Sequence, residues 1–240
     1  MPTKSLPKPT SKFHNFFPPE VKTFTSDRSI DFKLKDGEPI FNEEQKAYLI
    51  HHLGTINIVN IKQVHGDHIV LVTKNYIQDE DTLDEADALV THVRGRGIAI
   101  RTADCTPVYL YDPRHKCIGL VHAGWKSTEK EIVRQTIELM MEKWDTRPED
   151  VLAAIGPSIR CPSFEVGEDF LFRFPRATIM KGDKYYCDVP LANKNQLYDI
   201  GVREDHIYDC GEDTFRNKNY DSFRRDGEAS GRMIHVMMIV

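Results

Sequence analysis

The chain has 240 residues, 40% of them hydrophobic and 10% aromatic, enough apolar material for a packed core in one large domain or two small ones. Charged residues at 29% and a net charge of -5 exclude a chain disordered throughout. They also argue against a general nucleic-acid binder, because no basic face is evident in the sequence to displace counterions. No apolar run approaches the length of a membrane span. The opening MPTKSLPKPTSKFH carries lysines but no apolar core, so it is not a secretory signal. Five cysteines, Cys105, Cys117, Cys161, Cys187 and Cys210, are an odd number without a CxxC pair. They predict free thiols and a cytoplasmic protein.

In chain order, residues 1–20 are Pro- and Lys-rich and predict an extended or frayed segment. FNEEQKAYLIHHL predicts a helix with Asn42 as N-cap and Glu43 and Glu44 at its positive end. INIVNIKQV and HIVLVTK are β-rich and broken by the turn His65-Gly66-Asp67. ADALVTH, GIAIRTA, PVYLYD and KCIGLVH follow as short strands, separated by the turn formers RGRG, DCTP and DPRHK. Continuous apolar runs such as CIGLV predict strands buried on both faces.

Thr128 and Glu131 have the spacing of a capping box. Val133, Ile137, Met140, Met141 and Trp144 lie on one helical face behind it. VLAAIG predicts a further buried strand, PLANKNQLYDIGV a second helix ending near Gly201, and MIHVMMIV a last strand. No linker-like composition divides the chain. The expectation is a single mixed α/β domain over residues 21–240.

Three polar side chains interrupt this apolar pattern at strand ends. His65 lies in QVHG, Cys105 in TADC and His122 in HAGW. Strand ends followed by tight turns are where α/β proteins present reactive groups. One thiolate and two imidazoles form a plausible zinc set with an open fourth position, although separations of about 40 and 17 residues make no short ligand motif. Gly124 and Trp125, at a strand-to-helix turn with Lys126 beside them, suit an anion. Cys117 reads as core, Arg94-Gly95-Arg96 as a solvated turn, and Arg224-Arg225 as a surface turn or an anion clamp. Met233, Met237 and Met238 read as core rather than as a copper site.

QVHG, ADALVT, TADCTPV, CIGLVHAGW, IGPSIRCPSFEVG and SFRRDGEASGRM, in that order, resemble the laccase-domain family. Its members were first described as polyphenol oxidases and later recognised as purine nucleoside phosphorylases with adenosine deaminase side activity. The resemblance spans about residue 60 to the C-terminus. It implies a single-domain α/β/β/α-like sandwich and a zinc held by His65, Cys105 and His122. It implies purine nucleosides and inorganic phosphate as substrates, with no nucleic acid or membrane partner, in a monomer or homodimer. Asp104 becomes the candidate proton carrier, with Cys105 and His122 in the catalytic set. Arg28, Gly124, Trp125, Lys126 and Arg225 become the candidate substrate contacts.

The chain departs from the family pattern before residue 60, where FTSDRSIDFKLKDGEPIFNEEQ keeps only Arg28 as a counterpart of the family's arginine. Lys126-Ser127 stands where Arg-Gly is common, and Arg101 replaces an apolar residue. Three alternatives accompany this reading. They are a copper-dependent phenol oxidase, a thiol hydrolase using Cys105 and His122, and a non-catalytic zinc-binding or interaction protein.

Overall fold

The computed structural model describes residues 16–35, 37–79 and 82–240. The first half of the chain runs β1 (Val21–Thr25), α1 (Glu43–Leu53), β2 (Ile58–Val59), β3 (Ile69–Val72), β4 (Ala88–Thr91), β5 (Gly97–Thr102), β6 (Thr106–Asp112) and β7 (Cys117–Ala123). Then come α2 (Trp125–Glu129), α3 (Ile132–Trp144), β8 (Leu152–Ile155), β9 (Glu165–Val166), α4 (Phe170–Arg173), β10 (Thr178–Lys181) and β11 (Lys184–Cys187). The order closes with α5 (Val189–Ile200), β12 (Ile207–Asp209), α6 (Phe223–Asp226) and β13 (Met233–Ile239). Most of the expected N-terminal segment, residues 1–15, lies outside the described residues. Within the described end of that segment Phe17 is buried in the core, so residues 16–20 are packed rather than frayed.

The strands form a four-stranded sheet in the order β1-β13-β5-β2, a six-stranded sheet in the order β12-β8-β6-β7-β4-β3, and a small sheet β10-β11-β9. The period-2 alternation of the apolar runs assigns each strand face a layer. In β6, Tyr109 and Tyr111 face the other sheet, while Val108 and Leu110 face the helices. In β5, Ile98 and Ile100 point between the sheets and Ala99 points out toward α1. β13 divides likewise, with Met237 and Ile239 inside and Ile234 and Val236 on the α1 side. α1 covers the four-stranded sheet with Tyr48, Leu49 and Leu53. α3 and α5 cover the six-stranded sheet through Val133, Ile137, Met140 and Leu197. The result is a mixed α+β fold in four layers, helix, sheet, sheet, helix. The continuous apolar strands are buried on both faces because each has a layer on either side.

α1 starts where the sequence predicts. The Asn42 side chain accepts from the Gln45 N–H while the Gln45 side chain accepts from the Asn42 N–H, and Gly54 closes the helix in the left-handed conformation. Two expectations differ. INIVNIKQV gives a ladder only at Ile58–Val59. The Asn60 N–H donates to the Gln78 side chain and the Asn60 amide to the Ile58 carbonyl, so side chains replace the strand partner. The capping box at Thr128 and Glu131 does not form. Thr128 sits inside α2, where its hydroxyl meets Asn193 of α5 and its carbonyl accepts from Gln196. Glu131 then turns left-handed, φ 60°, and makes no side-chain cap for α3. Tertiary polar contacts override the local cap, so the expected helix starts later, at Ile132, behind a separate short helix α2.

Candidate functional site

The three polar interruptions meet at one end of the six-stranded sheet. Cys105 lies in the turn from β5 to β6, His122 near the end of β7, and His65 in the loop from β2 to β3. β6 and β7 pair antiparallel with Thr106 opposite Ala123, which sets Cys105 at the same edge as His122. One ligand atom from each of the three side chains lies within 4.8 Å of the others. The Cys105 Sγ is 3.7 Å from the His65 Nε2, and the two imidazole centroids are 4.8 Å apart. Among the described residues no other His/Cys/Asp/Glu group of three converges in this way.

Backbone conformation and a missing side chain make this approach possible. His65 and Asp104 adopt positive φ, 57° and 85°, a conformation that costs a non-glycine residue roughly 1 kcal/mol and is held by the surrounding structure. A Cβ at Gly124 would stand 2.9 Å from the His65 ring and 3.1 Å from the Cys105 sulfur. Any side chain there would force the His65 ring or the Cys105 sulfur to move.

Asp87, which sequence reasoning did not select, ties the site together. It lies in the loop before β4, and its fully buried carboxylate accepts from His122 Nδ1 at 2.7 Å. It also accepts from the N–H groups of Val64, His65 and Gly66 at 3.3, 3.0 and 2.5 Å. One acid therefore fixes the tautomer of one candidate ligand and the loop of another. Burial alone would lift its carboxyl, but His122 and the backbone N–H groups hold it below the usual carboxylate range. The signal was present in the motif ADALVT, as an acid inside an otherwise apolar run. Burial opposes ionisation of the Cys105 thiol as well, yet His122 and His65 bring it down to about 6. Burial likewise opposes protonation of His122, but the Cys105 thiolate and Asp87 raise it to about 9.

The donor chemistry fits a zinc-sized cation. There is one thiol that ionises readily, one imidazole oriented through its Nδ1–H by a carboxylate, and a second imidazole facing the sulfur. The cluster opens onto a cavity of about 380 Å³ lined by Trp125, Phe164, Phe223, Lys126 and Arg224 among others, within the size range of small-ligand sites. The Arg224 guanidinium lies 4.8 Å from the Phe164 ring centroid and donates to the Glu165 carbonyl.

The remaining candidates divide. Gly124, Trp125 and Lys126 line the cavity. α2 is a helix of five residues, so any anion there is met by the Lys126 charge rather than by a long helix dipole. Asp104 also lines the cavity, but both its oxygens are engaged, one by the Thr214 hydroxyl and one by the Arg224 N–H, each at 2.6 Å. That geometry orients the turn.

Arg225 points elsewhere. It donates to the carbonyls of Thr214, Phe215 and Tyr220 and pairs with Asp226, so its neighbour Arg224 is the cation at the cavity. Arg28 pairs with Asp226 at 3.5 Å and is not part of the cavity lining. Phe164 and Phe223 were missed because they come from a loop and a four-residue helix far apart in sequence, with no periodicity to mark them, whereas Arg224 was read with Arg225 as a surface turn or an anion clamp.

Residues 31–240 match a family model described as multi-copper polyphenol oxidoreductase laccase. Curated relatives include a purine nucleoside phosphorylase of Bacteroides thetaiotaomicron, 36% identical and covering 74% of this chain and 71% of the relative. Another, of Deinococcus radiodurans, is 34% identical over 85% and 79% of the two chains. An adenosine deaminase RL5 from an unknown prokaryote is 29% identical over 73% and 72%. The fold matches the crystal structure of YlmD from Geobacillus stearothermophilus with a TM-score of 0.82 and 24% identity, covering 92% of each chain.

Proposed function

The chain belongs to the multi-copper polyphenol oxidoreductase laccase family, and from that premise we propose that it is a zinc-dependent purine nucleoside phosphorylase with adenosine deaminase side activity. The observation that carries this reading is the cluster of His65, Cys105 and His122, two of which line an aromatic cavity that Lys126 and Arg224 also line. The relatives' names agree in substrate class.

Zinc, when bound, supplies a Lewis acid and a water of lowered pKa. The protein's own part is positioning. Asp87 holds His122 through Nδ1 and fixes the His65 loop. Trp125, Phe164 and Phe223 offer apolar faces to a flat purine. Lys126 and Arg224 attract inorganic phosphate to the same cavity. In phosphorolysis a phosphate oxygen forms a bond to the ribose anomeric carbon as the bond to the purine nitrogen breaks, giving ribose 1-phosphate and free base. Asp104 acts by fixing the Cys105 turn and the Arg224 backbone. The free cysteines fit a reducing compartment, and we place the enzyme in the cytoplasm.

The test is hypoxanthine release from inosine by the zinc-loaded protein. Release is expected only with phosphate present. Equal release without phosphate would identify a hydrolase. The family description favours a second reading, copper-dependent phenol oxidation, since the same donors take copper. Copper content with phenol-dependent oxygen uptake would support it.

A further inference from the structure

A second and larger cavity, about 750 Å³, lies at the opposite end of the strands that carry the catalytic turns. Arg96 immediately precedes β5 and Lys116 immediately precedes β7, whereas Cys105 and His122 lie at the far ends of the same strands. Six or seven residues of strand separate the two sites by about 20 Å. Four loops supply its lining, one before β2, one after β3, one between β4 and β5, and one between β6 and β7. They bring together Lys74, Arg94, Arg96, Arg114 and Lys116, with two histidines and no carboxylate. Five cations converge in one cleft of a chain whose net charge is -5.

Carboxylates just outside the lining balance part of this charge, Asp112 at His115 among them. Arg114 pairs with Asp150 at 3.2 Å and Lys116 with Glu20 at 3.9 Å, while neither acid belongs to the cavity lining. Arg94 donates to the Val240 carbonyl. Arg96 donates to the Thr73 carbonyl and lies over the Tyr76 ring at 5.5 Å, and its Nε is buried without a hydrogen-bond partner. Like charges gathered this closely repel one another by amounts that a bound anion relieves. The guanidiniums are already oriented, which lowers the cost of binding.

We propose that this cleft binds the oligophosphate group of a small ligand. A single phosphate would fill little of the cavity and meet only part of its charge. The lining has no large apolar ring on which recognition of a base would depend, so charge is the feature read. A nucleic acid would need a basic face extending beyond the cleft, and Glu20 and Asp150 flank it instead.

The test is calorimetric titration of the full chain at physiological salt with inorganic tripolyphosphate, orthophosphate and a single-stranded DNA oligonucleotide. One tripolyphosphate is expected per chain, bound at least about tenfold more tightly than orthophosphate. Lys74→Glu with Lys116→Glu, both at exposed side chains, should weaken it about tenfold or more and leave inosine cleavage and the melting temperature unchanged. If the double variant melts early, Lys74→Glu alone gives the same reading with a smaller factor. Four results would overturn the proposal. They are no saturable tripolyphosphate binding, equal binding by the charge-reversed variant, binding abolished by Lys126→Glu instead, or binding of the oligonucleotide alone.

Discussion

Gly124 is the residue whose identity the geometry constrains most tightly. An added Cβ must displace the His65 ring, 2.9 Å away, or the Cys105 sulfur, 3.1 Å away. Gly124→Ala is therefore expected to weaken zinc binding by tenfold or more while the melting temperature changes little, because the strain falls on two side chains at the cavity mouth. Wild-type zinc affinity in that variant would contradict the geometry. Asp87 acts one step behind the ligands. Asp87→Asn keeps one acceptor oxygen, sets an NH2 donor against either the His65 N–H and His122 or the Val64 and Gly66 N–H groups, and loses the charge that orients His122. Zinc affinity should drop about 10- to 100-fold, measured by competition with a chelating dye. An unchanged affinity would mean that His122 needs no carboxylate. His65, Cys105 and His122 were legible as polar breaks at strand ends, but their convergence was not, since spacing carries no information about which strands become neighbours.

Among the elements, the long apolar strands were readable, whereas β1 was missed although it buries Val21 and Phe24, because Lys22, Thr23 and Thr25 interrupt its apolar run. β5, β6, β7 and β13 are apolar runs buried along their whole length. The hairpin β10–β11 escaped because Ile179 and Met180 are exposed and its alternation is lost. Its one signal was the Gly182-Asp183 turn, where Gly182 takes φ 66°. The misplaced start of α3 has the opposite cause. Thr128 and Glu131 have the right spacing, but Asn193 and Gln196 of α5 engage Thr128 first. Glu131 is left exposed in a left-handed conformation with φ 60°. Replacing it with glycine, which adopts that conformation without strain, should stabilise the protein by roughly 0.5–1 kcal/mol. For a chain of this size that is a rise in melting temperature of about 1–4 °C. A lower melting temperature would show that the Glu131 side chain contributes more than its backbone costs.

At the scale of the whole molecule, the two large sheets share one buried polar knot. His235 of β13 meets the hydroxyls of Thr25 and Tyr109 at Nδ1, 3.1 and 2.9 Å, and that of Thr102 at Nε2, 2.8 Å. Burial, with the nearby His122 adding to it, pushes the His235 imidazole down to about 3. In the unfolded chain the same ring takes a proton near 6.5. Below pH 6.5 the unfolded state binds the extra proton and the folded state resists it. Stability therefore falls as the pH drops from 6.5 toward 3, by up to roughly 1.4 kcal/mol per unit. Urea unfolding across that range should show a steeper acid loss in the wild type than in His235→Gln, even though the variant starts from a lower stability. Parallel curves would mean that the ring is protonated in the folded state.

Continuous apolar runs marked the strands buried on both faces and the family resemblance implied the layer order, but the distribution of charge was legible in neither. The sequence shows an acidic chain with scattered arginines, and only folding gathers five cations into one cleft.

The central claim is that three side chains from three separate loops and strands form one metal centre. Metal content per chain, measured after zinc loading and gel filtration, tests it most directly. The wild type should retain one zinc, and Cys105→Ala and His122→Ala should retain none, while His68→Ala, two residues beyond the QVHG turn, retains one. A full equivalent of zinc in Cys105→Ala would contradict the account.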